Sequence, residues 1–357
     1  MERRTFLRLS GLSALAVGLG VGATACLRDP DANGLRLLAN FTSRRIATTG
    51  ELVGSTGYRW HTDPDGGACF PAAGGGWIYV SNSESVLGGA SMVRFSPSGA
   101  IVEARRILGG TIANCAGGAT PWGTWLSCEE LETGRVFECD PTGTTEAVVR
   151  PALGTFKHEA AAADPTHQVV YLTEDAPDGC FYRFRPTTWG DLSSGTLEVM
   201  TDEAGRVGWR PVPDPNPILS TPTREQVAAA RHFDGGERVV MAGADVVFTT
   251  KGDDRVWRYS PGSNALSVVY DAAAVTSPTL TGVDNVTHRA GNLYVCEDGG
   301  DMQIVRIRPD GSTEAVLQLD GVSGSELTGV AFSPDGSRMY FSSQRNPGAT
   351  YEVAGPW

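Results

Sequence analysis

The stretch Trp77-Ile-Tyr-Val-Ser-Asn-Ser-Glu84 is an apolar run that ends in small polar residues and an acid, a pattern typical of a short strand. Five further stretches repeat this change from apolar to polar, and each of the six copies has a large aromatic side chain. These aromatic residues are Tyr79, Trp125, Tyr171, Phe248, Tyr294 and Tyr340. Successive copies lie 46, 46, 77, 46 and 46 residues apart. Such a regular spacing indicates one structural unit repeated six times.

A second short run follows each copy, as in Met92-Val-Arg-Phe95 and Val256-Trp-Arg-Tyr259, and alternates as a half-buried strand does. Pro/Gly turns such as Asp140-Pro-Thr-Gly143 follow most of these runs. Units of about 40 to 50 residues with four short strands are typical of β-propeller blades. The sequence therefore predicts an all-β fold, a six-bladed β-propeller. The long interval holds an insertion at about 189–231, which we expect to form a flap with a helix over Thr223–Arg231.

Composition limits the classes of partner. The chain has 357 residues, of which 41% are hydrophobic and 20% charged, as in a globular protein. Its formal net charge of −12 repels nucleic-acid phosphates and anionic lipids. We therefore expect cations as partners and no nucleic acid. We also expect a monomer that acts on a small molecule.

The first 26 residues form a separate segment. Arg3-Arg4 precedes Thr5-Phe-Leu7, and a weakly apolar stretch runs from Leu9 to Ala25. This pattern predicts a twin-arginine (Tat) export signal, with the propeller over residues 27–357 and a periplasmic or cell-surface location. Ala23-Thr-Ala-Cys26 also resembles a lipoprotein cleavage box, in which a lipid on Cys26 would be the membrane anchor. Simple secretion and lipid anchoring both fit the sequence.

Polar residues stand where the central channel should be. The first strand of each blade lines that channel, and here it should lie about nine to thirteen residues before each aligned aromatic. The polar residues near these positions are Asn114, Cys115, His158, Glu159, Asp234, Glu237, Asp284, Asn285 and Glu326. Converging carboxylates repel one another unless cations lie between them. Carboxylate and amide oxygens suit Ca²⁺ or Mg²⁺, whereas a thiolate such as that of Cys115 favours a softer metal such as iron.

Each of these residues also has a purely structural interpretation. Cys115 fits a small buried side chain or half of a disulfide, and His158 fits a core histidine. Three acidic pairs at the ends of second strands fit solvated turns: Glu129-Glu130, Glu174-Asp175 and Glu297-Asp298. The metal hypothesis therefore depends on the ensemble, because five of the six blades carry a candidate ligand at nearly the same register.

Several stretches together resemble the PhoX-type alkaline phosphatases. They are Asn114-Cys-Ala-Gly-Gly-Ala-Thr-Pro-Trp-Gly-Thr-Trp-Leu-Ser-Cys-Glu-Glu130, Phe156-Lys-His-Glu-Ala160, Glu326-Leu-Thr-Gly-Val-Ala-Phe-Ser-Pro-Asp-Gly336 and the closing Gly355-Pro-Trp357. The resemblance covers nearly the whole chain after the export signal. The resemblance implies that the protein is a propeller exported by the Tat pathway. It also implies a metal-dependent phosphomonoesterase, which uses Fe³⁺ and Ca²⁺ in its channel to hydrolyse small phosphomonoesters.

The resemblance also implies roles for individual residues. Cys115 would be an iron ligand and Glu159 and Glu237 carboxylate ligands, and these three are the candidates for catalysis. Asp284, Asn285 and Glu326 would hold calcium. Asn82 and Glu84 stand where the family has an Asn-His-Glu stretch and are further calcium candidates.

The chain departs from the family pattern at two places. The arginine that would contact substrate phosphate is Gly235, and Ala160–Ala163 stand where an aromatic residue and a lysine are expected. The cation for the substrate would then come from Lys157, Arg231, Lys251 or Arg345. These departures leave two alternatives: a non-catalytic, calcium-stabilised cell-surface binding propeller, and a calcium-propeller hydrolase of esters or lactones that does not need Cys115.

Overall fold

Antiparallel sheets make up almost the whole structure. The computed structural model describes residues 26–203 and 205–357, so residues 1–25 of the predicted export signal lie outside the described residues. The described chain forms six sheets, numbered below as blades one to six in the order of their inner strands along the chain. Blades one, two, four and six have four strands each, blade three has six and blade five has five. The inner strands of successive sheets pack against one another, and the sixth packs against the first. The prediction of a six-bladed propeller is confirmed.

The strands of the first three blades follow one another along the chain. Blade one consists of Pro64–Pro71, Trp77–Ser83, Gly88–Phe95 and Ile101–Thr111. Blade two consists of Asn114–Ala119, Trp125–Glu129, Val136–Cys139 and Val148–Val149. Blade three consists of His158–Asp164, Val169–Glu174, Gly179–Thr188, Asp191–Glu203 and Arg206–Pro211, with His232–Phe233 paired to its third strand.

The last three blades include the two strands nearest the amino end of the described chain. Blade four consists of Gly236–Ala242, Asp245–Thr250, Arg255–Ser260 and Ala265–Asp271. Blade five consists of Val283–Arg289, Asn292–Glu297, Gln303–Ile307, Thr313–Leu319 and Leu35–Leu37. Blade six consists of Leu327–Phe332, Arg338–Ser343, Ala349–Ala354 and Thr42–Thr48. Because Thr42–Thr48 is the outermost strand of a blade otherwise built from the carboxyl end, the two ends of the chain close the ring.

The six aromatic residues that define the repeat lie between the blades. Tyr79, Trp125, Tyr171, Phe248, Tyr294 and Tyr340 are all buried. Contacts such as that of Tyr79 with Tyr340, whose ring centroids lie 5.0 Å apart, join one blade to the next. Burying an aromatic ring stabilises the fold by about 2 kcal/mol, and the repeated position makes this contribution available at every blade junction.

The insertion after Trp189 extends the edge of blade three. The third and fourth strands of this blade are long, and Arg206–Pro211 pairs with the fourth. In place of the helix expected over Thr223–Arg231, the structure has a 3₁₀ turn at Thr223–Glu225. The reason is that the following backbone pairs with the fourth strand: Ala229 O accepts from Asp202 N, and Arg231 N donates to Met200 O. Two further 3₁₀ turns are Pro151–Leu153 and Ala272–Ala274.

Every inner strand of the described chain has a β-bulge near the same end of the channel. The register with the second strand shifts between Pro64 and Gly67, Asn114 and Gly117, His158 and Ala161, Gly236 and Val239, Val283 and Val286, and Thr328 and Ala331. A bulge redirects the side chains that it contains. In blades one to five the first residue of each pair lies opposite the last residue of the second strand, so the residue directly after it occupies an equivalent position at one end of the channel. In blade six the shift begins one pair later.

Gly329 lies within the bulge of blade six. It has a φ of +66°, and a Cβ there would lie 2.6 Å from the backbone oxygen of Asp65. Gly329→Ala is therefore expected to lower the free energy of unfolding by about 3 kcal/mol, from the clash and the left-handed backbone together. Gly321→Ala is the matched control, because Gly321 has a φ of +76° and open space around it, so the loss there should be about 1 kcal/mol. Urea denaturation measures both, and equal losses would contradict the predicted contact.

No helix in residues 26–203 and 205–357 is both long and apolar enough to span a membrane.

Candidate metal centre

The bulge positions gather acids and a thiol around one end of the channel. The side chains at this position in blades one to five are Asp65, Cys115, Glu159, Glu237 and Asp284. All five are buried. Four of them were predicted from the sequence as ligands, and the common bulge explains why they converge. Glu326 lies just before the sixth inner strand, beside Asp298.

The acidic pairs at the ends of the second strands divide into two roles. The first member of each pair binds its own blade: Glu129 accepts from Arg135 N, Glu174 from Cys180 N, and Glu297 from Gln303 N. Successive side chains of a strand point in opposite directions, so the second member of each pair points away from the groups that the first member binds. Glu130 and Asp175 lie at the channel mouth, where Lys157 Nζ is 3.1 Å from Glu130 and 3.8 Å from Asp175. Glu130 and Asp175 are therefore part of the candidate centre and not solvated turns.

Two groups of potential ligand atoms share the thiol of Cys115. The first group is Asp65, Glu84 and Cys115, and the second is Cys115, Glu130 and Glu159. Within each group one oxygen or sulfur atom per residue lies within 4.8 Å of the others. Cys115 is a free thiol and not half of a disulfide. The structure thus brings the predicted residues Glu84, Cys115 and Glu159 together.

Glu237 and Asp284 form the opposite side of the centre. Their carboxyl groups lie close enough to share a hydrogen bond. Lys251 Nζ lies 2.8 Å from Glu237 Oε1 and 3.3 Å from Asp175 Oδ2. Glu326 pairs with Arg345, whose Nη2 is 3.1 Å from Glu326 Oε1 and 3.7 Å from Glu84 Oε2. The mouth is therefore a ring of carboxylates with Lys157, Lys251 and Arg345 at its rim.

Burial and mutual repulsion disfavour the charged forms of these acids. Burial, together with the neighbouring acids, raises the pKa of Asp65, Glu159 and Asp284 well above the usual range. Burial also raises the pKa of Glu130, Glu237 and Glu326 to about 7 in each case. The pKa of the Cys115 thiol is raised by burial and by Asp65 and Glu159. So many raised pKa values in one place indicate a site that favours added positive charge.

The donor set fits metal ions. Glu159 Oε1 is buried and has no hydrogen-bond partner among the described residues. A buried carboxylate oxygen without a partner is costly unless a cation or a proton compensates for it. Carboxylates around one thiol offer both hard and soft donors, and two such groups share a ligand. Cys115, Glu159, Asp65, Glu84 and Glu130 would hold the metal.

Two predicted calcium ligands lie outside this group of donors. The amide of Asn82 is fully used: Nδ2 donates to Cys115 O and Ala116 O, and Oδ1 accepts from Trp125 Nε1 and Ser127 Oγ. Asn285 Oδ1 accepts from the backbone N–H of Gly329 at 3.0 Å, and its Nδ2 donates to Asp284. Both asparagines therefore join neighbouring blades in this structure. His158 likewise packs on Phe156 and contacts Gly154 O, outside the donor groups.

The side chain of Arg238 crosses the channel beneath the acids. Its Nη2 donates to Gly67 O of the opposite blade at 2.8 Å, and Nη1 lies 3.4 Å from Asn285 Oδ1. On the far side of Arg238 a cavity of about 410 Å³ is lined mainly by small and apolar residues, with no acid among them. The candidate centre therefore opens to solvent on the other face, where Lys157, Lys251 and Arg345 lie.

Sequence reasoning missed Asp65, Glu130 and Arg238 as parts of this centre. Asp65 lies fourteen residues before Tyr79, the same interval as Glu326 before Tyr340, and could have been found from the repeat. The Thr62-Asp-Pro-Asp-Gly-Gly67 stretch was a usable signal, because Gly66 and Gly67 permit close packing on the neighbouring strands. Glu130 was noted only as part of an acidic pair that fits a solvated turn, and nothing local distinguishes Arg238 from an exposed arginine.

Gly235, at the position of the family's arginine, has Lys251 directly beside it. A Cβ at Gly235 would lie 3.4 Å from Lys251 Cγ and 3.2 Å from Asp175 Oδ1. Lys251 thus occupies the space that a longer side chain at 235 would need. Arg231, another cation considered from the sequence, lies over the rings of Phe233 and Trp257 and pairs with Asp202 at 3.0 Å. Lys251 is therefore the cation that lies beside Gly235, where the family has its arginine.

One protein family matches the middle of the chain. The sequence model of the family described as alkaline phosphatase PhoX matches residues 82–135 and 131–256. The matched ranges contain Cys115, Glu159 and Glu237. No curated protein matches the chain.

Solved structures share the fold. Pseudomonas fluorescens PhoX, in a structure with vanadate, a transition state analogue, is 17% identical, with a TM-score of 0.76 over 93% of this chain and 97% of that chain. A Bacteroides thetaiotaomicron protein of unknown function is 11% identical, with a TM-score of 0.58 over 88% of this chain and 76% of that one. The gluconolactonase XC5397 of Xanthomonas campestris is 11% identical, with a TM-score of 0.51 over 94% and 99% of the two chains. At these identities the likeness shows the fold, and the family match carries the assignment. The chain belongs to the alkaline phosphatase PhoX family.

Proposed function

We propose that the protein is a metal-dependent phosphomonoesterase whose active site is the carboxylate and thiol cluster at the open end of the channel. The observation that carries this proposal is the pair of donor groups that share Cys115, placed beneath a rim of three cations. Carboxylates bind metal ions and the rim cations attract a dianionic phosphate. Neither feature alone would distinguish a phosphatase from a calcium-binding propeller.

The ligand chemistry supports iron together with calcium. A buried thiol beside Glu130 and Glu159 suits iron, and an all-oxygen side formed by Glu237, Asp284 and Glu326 suits calcium. A metal bound in such a site supplies Lewis acidity toward the phosphoryl oxygens. The chain itself supplies the fixed carboxylates that hold the site, a channel closed beneath it by Arg238, and one open face for substrate.

Lys251 is proposed as the phosphate-binding cation in place of the family's arginine. Although burial acts against it, Glu237 and Asp175 raise the pKa of Lys251, so its ammonium group is charged at neutral pH. Its side chain is 40% exposed, which leaves Nζ within reach of a substrate at the mouth. Lys157 and Arg345 complete the rim, and charge-assisted hydrogen bonds from such groups to phosphate are strong and short.

The location of the protein is part of the proposal. The Arg3-Arg4 signal supports export by the Tat pathway to the periplasm or cell surface, and Ala23-Thr-Ala-Cys26 supports a lipid anchor on Cys26. In this proposal the protein acts there as a monomer on small phosphomonoesters.

The test combines metal analysis with turnover. The full chain is produced in a Tat-competent host, its iron and calcium are measured by elemental analysis, and hydrolysis of p-nitrophenyl phosphate is followed. The expected result is bound iron and calcium with hydrolysis of the phosphate ester, and no comparable turnover of p-nitrophenyl acetate or a gluconolactone. Calcium without turnover would replace the proposal by the binding propeller, and turnover of the acetate or lactone alone would replace it by the ester or lactone hydrolase.

Lys251→Met is expected to lower kcat/KM for p-nitrophenyl phosphate by about thirtyfold, mainly through KM, because one charged hydrogen bond to phosphate is lost. Lys251→Arg should recover most of the activity. Arg231→Met is the control, since that cation is engaged by Asp202 and two rings and should leave turnover unchanged. Metal content is measured in parallel, because loss of metal from Lys251→Met would mean that the lysine acts by holding Glu237 and not by binding phosphate.

A further inference from the structure

A groove of about 810 Å³ adjoins the candidate centre and shares residues with it. Glu84 and Arg345, which lie 3.7 Å apart at the mouth, form its inner end. Its outer part is formed by the loop Ser85–Leu87 of blade one, by Ile112 and Ala113, and by Asn346–Gly348 of blade six. The groove is therefore continuous with the centre and runs outward from it between three blades.

The outer part of this groove is apolar and exposed. Val86 is 84% exposed, Leu87 77% and Ile112 50%. Among the described residues seven large hydrophobic side chains are at least 50% exposed, and three of them line this one groove. Isolated exposed hydrophobic residues need no explanation, whereas a cluster beside a polar site indicates binding.

The loop that carries Val86 and Leu87 is fixed at its base. Ser85 O accepts from Ala113 N at 2.7 Å, Glu84 N donates to Asp63 O at 2.9 Å, and Leu87 N lies 3.3 Å from Ser85 Oγ. The hydrophobic side chains are thus held in place by backbone contacts, although they are not buried. A preformed apolar surface loses little conformational entropy when a ligand covers it.

The charges of the groove limit its occupant. Arg345 is its one cationic residue, at the end nearest the metal centre, whereas Asp63 and Glu84 also line it. A second anionic group on the ligand would meet these two carboxylates. The occupant that fits has one phosphate at the inner end and an uncharged, apolar remainder that extends over Val86, Leu87 and Ile112.

We propose that this groove is the leaving-group subsite and that the protein prefers phosphomonoesters of apolar alcohols, such as alkyl or aryl phosphates, over polar or multiply charged ones. The placement of the phosphoryl end rests on the proposed function. The apolar end rests on the groove alone.

The experiment measures binding of n-alkylphosphonates, whose C–P bond is not a phosphomonoester bond, to the metal-loaded protein by titration calorimetry. Ethylphosphonate and hexylphosphonate are compared in the wild type and in the double variant Val86→Ser/Leu87→Ser. Burial of a methylene group against an open surface is worth about twofold in affinity, so the four added methylenes should give a ratio of about sixteenfold in the wild type. The ratio should fall to about twofold or less in the double variant. The matched control Val102→Ser/Val268→Ser, two exposed valines on outermost strands, should keep the wild-type ratio.

A ratio near one in the wild type, or a ratio that the Val86/Leu87 variant does not change, would overturn the subsite. So would binding of the wild type to phosphatidylcholine vesicles that disappears in this variant while the phosphonate ratio is near one, since the surface would then contact a membrane. Turnover of p-nitrophenyl phosphate is measured on the same samples. Hydrolysis with a flat phosphonate ratio rejects the subsite but not the phosphatase. A steep ratio without hydrolysis supports an apolar binding groove beside the centre, but it rejects the phosphatase and with it the role of the groove as a leaving-group subsite.

Discussion

Glu159→Gln is expected to lower turnover of p-nitrophenyl phosphate by about a thousandfold and to reduce bound metal. Glu159 lies in the donor group with Cys115 and Glu130, and its Oε1 has no other partner among the described residues. Glutamine keeps the shape but removes the negative charge on which metal binding depends. Losing several kcal/mol of charge stabilisation in the transition state corresponds to a factor of this size.

The same substitution should have the opposite effect on the stability of the chelated protein. Without metal, Glu159 is repelled by Glu237, Glu130 and Asp65, and burial adds to the cost of its charge. Glu159→Gln should therefore raise the free energy of unfolding in the presence of a chelator by about 1 kcal/mol. A variant that loses activity and is also less stable under chelation would instead point to misfolding.

Glu138→Gln is the matched control for this experiment. Glu138, on the third strand of blade two, is also a buried glutamate, but it accepts from Trp122 Nε1 and Thr124 Oγ1 and pairs with Arg150 at 2.7 Å. Because its charge is already compensated, removing it should lower stability with and without chelator and leave metal content unchanged. Retention of both metal and wild-type turnover by Glu159→Gln would remove this residue from the centre.

Metal removal is expected to abolish turnover and to make the stability of the protein fall as pH rises. Burial raises the pKa of Glu130, Glu237 and Glu326 in the folded protein to about 7, against about 4.3 in an unfolded chain. The folded state then binds more protons than the unfolded state, so stability decreases with increasing pH. The contribution of these groups is complete below about pH 4 and is lost progressively up to about pH 7.

Melting temperatures at several pH values test this second prediction. Between pH 5 and pH 8 the chelated protein should lose about 5 °C relative to the metal-loaded protein, because bound cations compensate for the carboxylates at neutral pH. Readdition of iron and calcium should restore both the melting temperature and the hydrolysis of p-nitrophenyl phosphate. Identical pH profiles with and without chelator would show that these acids do not hold the metal.

The repeat made the fold predictable from sequence. A hydrophobic run and a central aromatic recur every 46 residues in most of the chain, and each aromatic fills the same junction between blades. Because every blade must bury the same face against its neighbour, the pattern that encodes one blade encodes all six. The prediction of a helix over Thr223–Arg231 was wrong because part of this backbone pairs with the long fourth strand of blade three. Local helix propensity does not include such a tertiary contact.

Part of the metal centre was predictable for the same reason. Cys115, Glu159, Glu237 and Asp284 lie at one position of the repeat, so a ring of inner strands brings them together. The sequence did not show which of two adjacent polar residues, Asp284 or Asn285, faces the acids. Asp284 faces the acids whereas Asn285 bonds Gly329 and Arg238 in the layer below, and the bulge that separates these layers has no sequence signature of its own.

The sequence alone thus determined the six blades, the four converging side chains that are candidate ligands and, through its longest motifs, the family. Only the tertiary structure decided how residues far apart in the chain complete the centre. It placed Lys251 in the space beside Gly235, Arg238 across the channel to Gly67, and Asp65 and Glu84 within reach of Cys115. The physical reason is that closing the ring brings together strands that are tens to hundreds of residues apart in the chain. Packing between blades, and not any local pattern, therefore determines which charged side chains meet at the channel mouth.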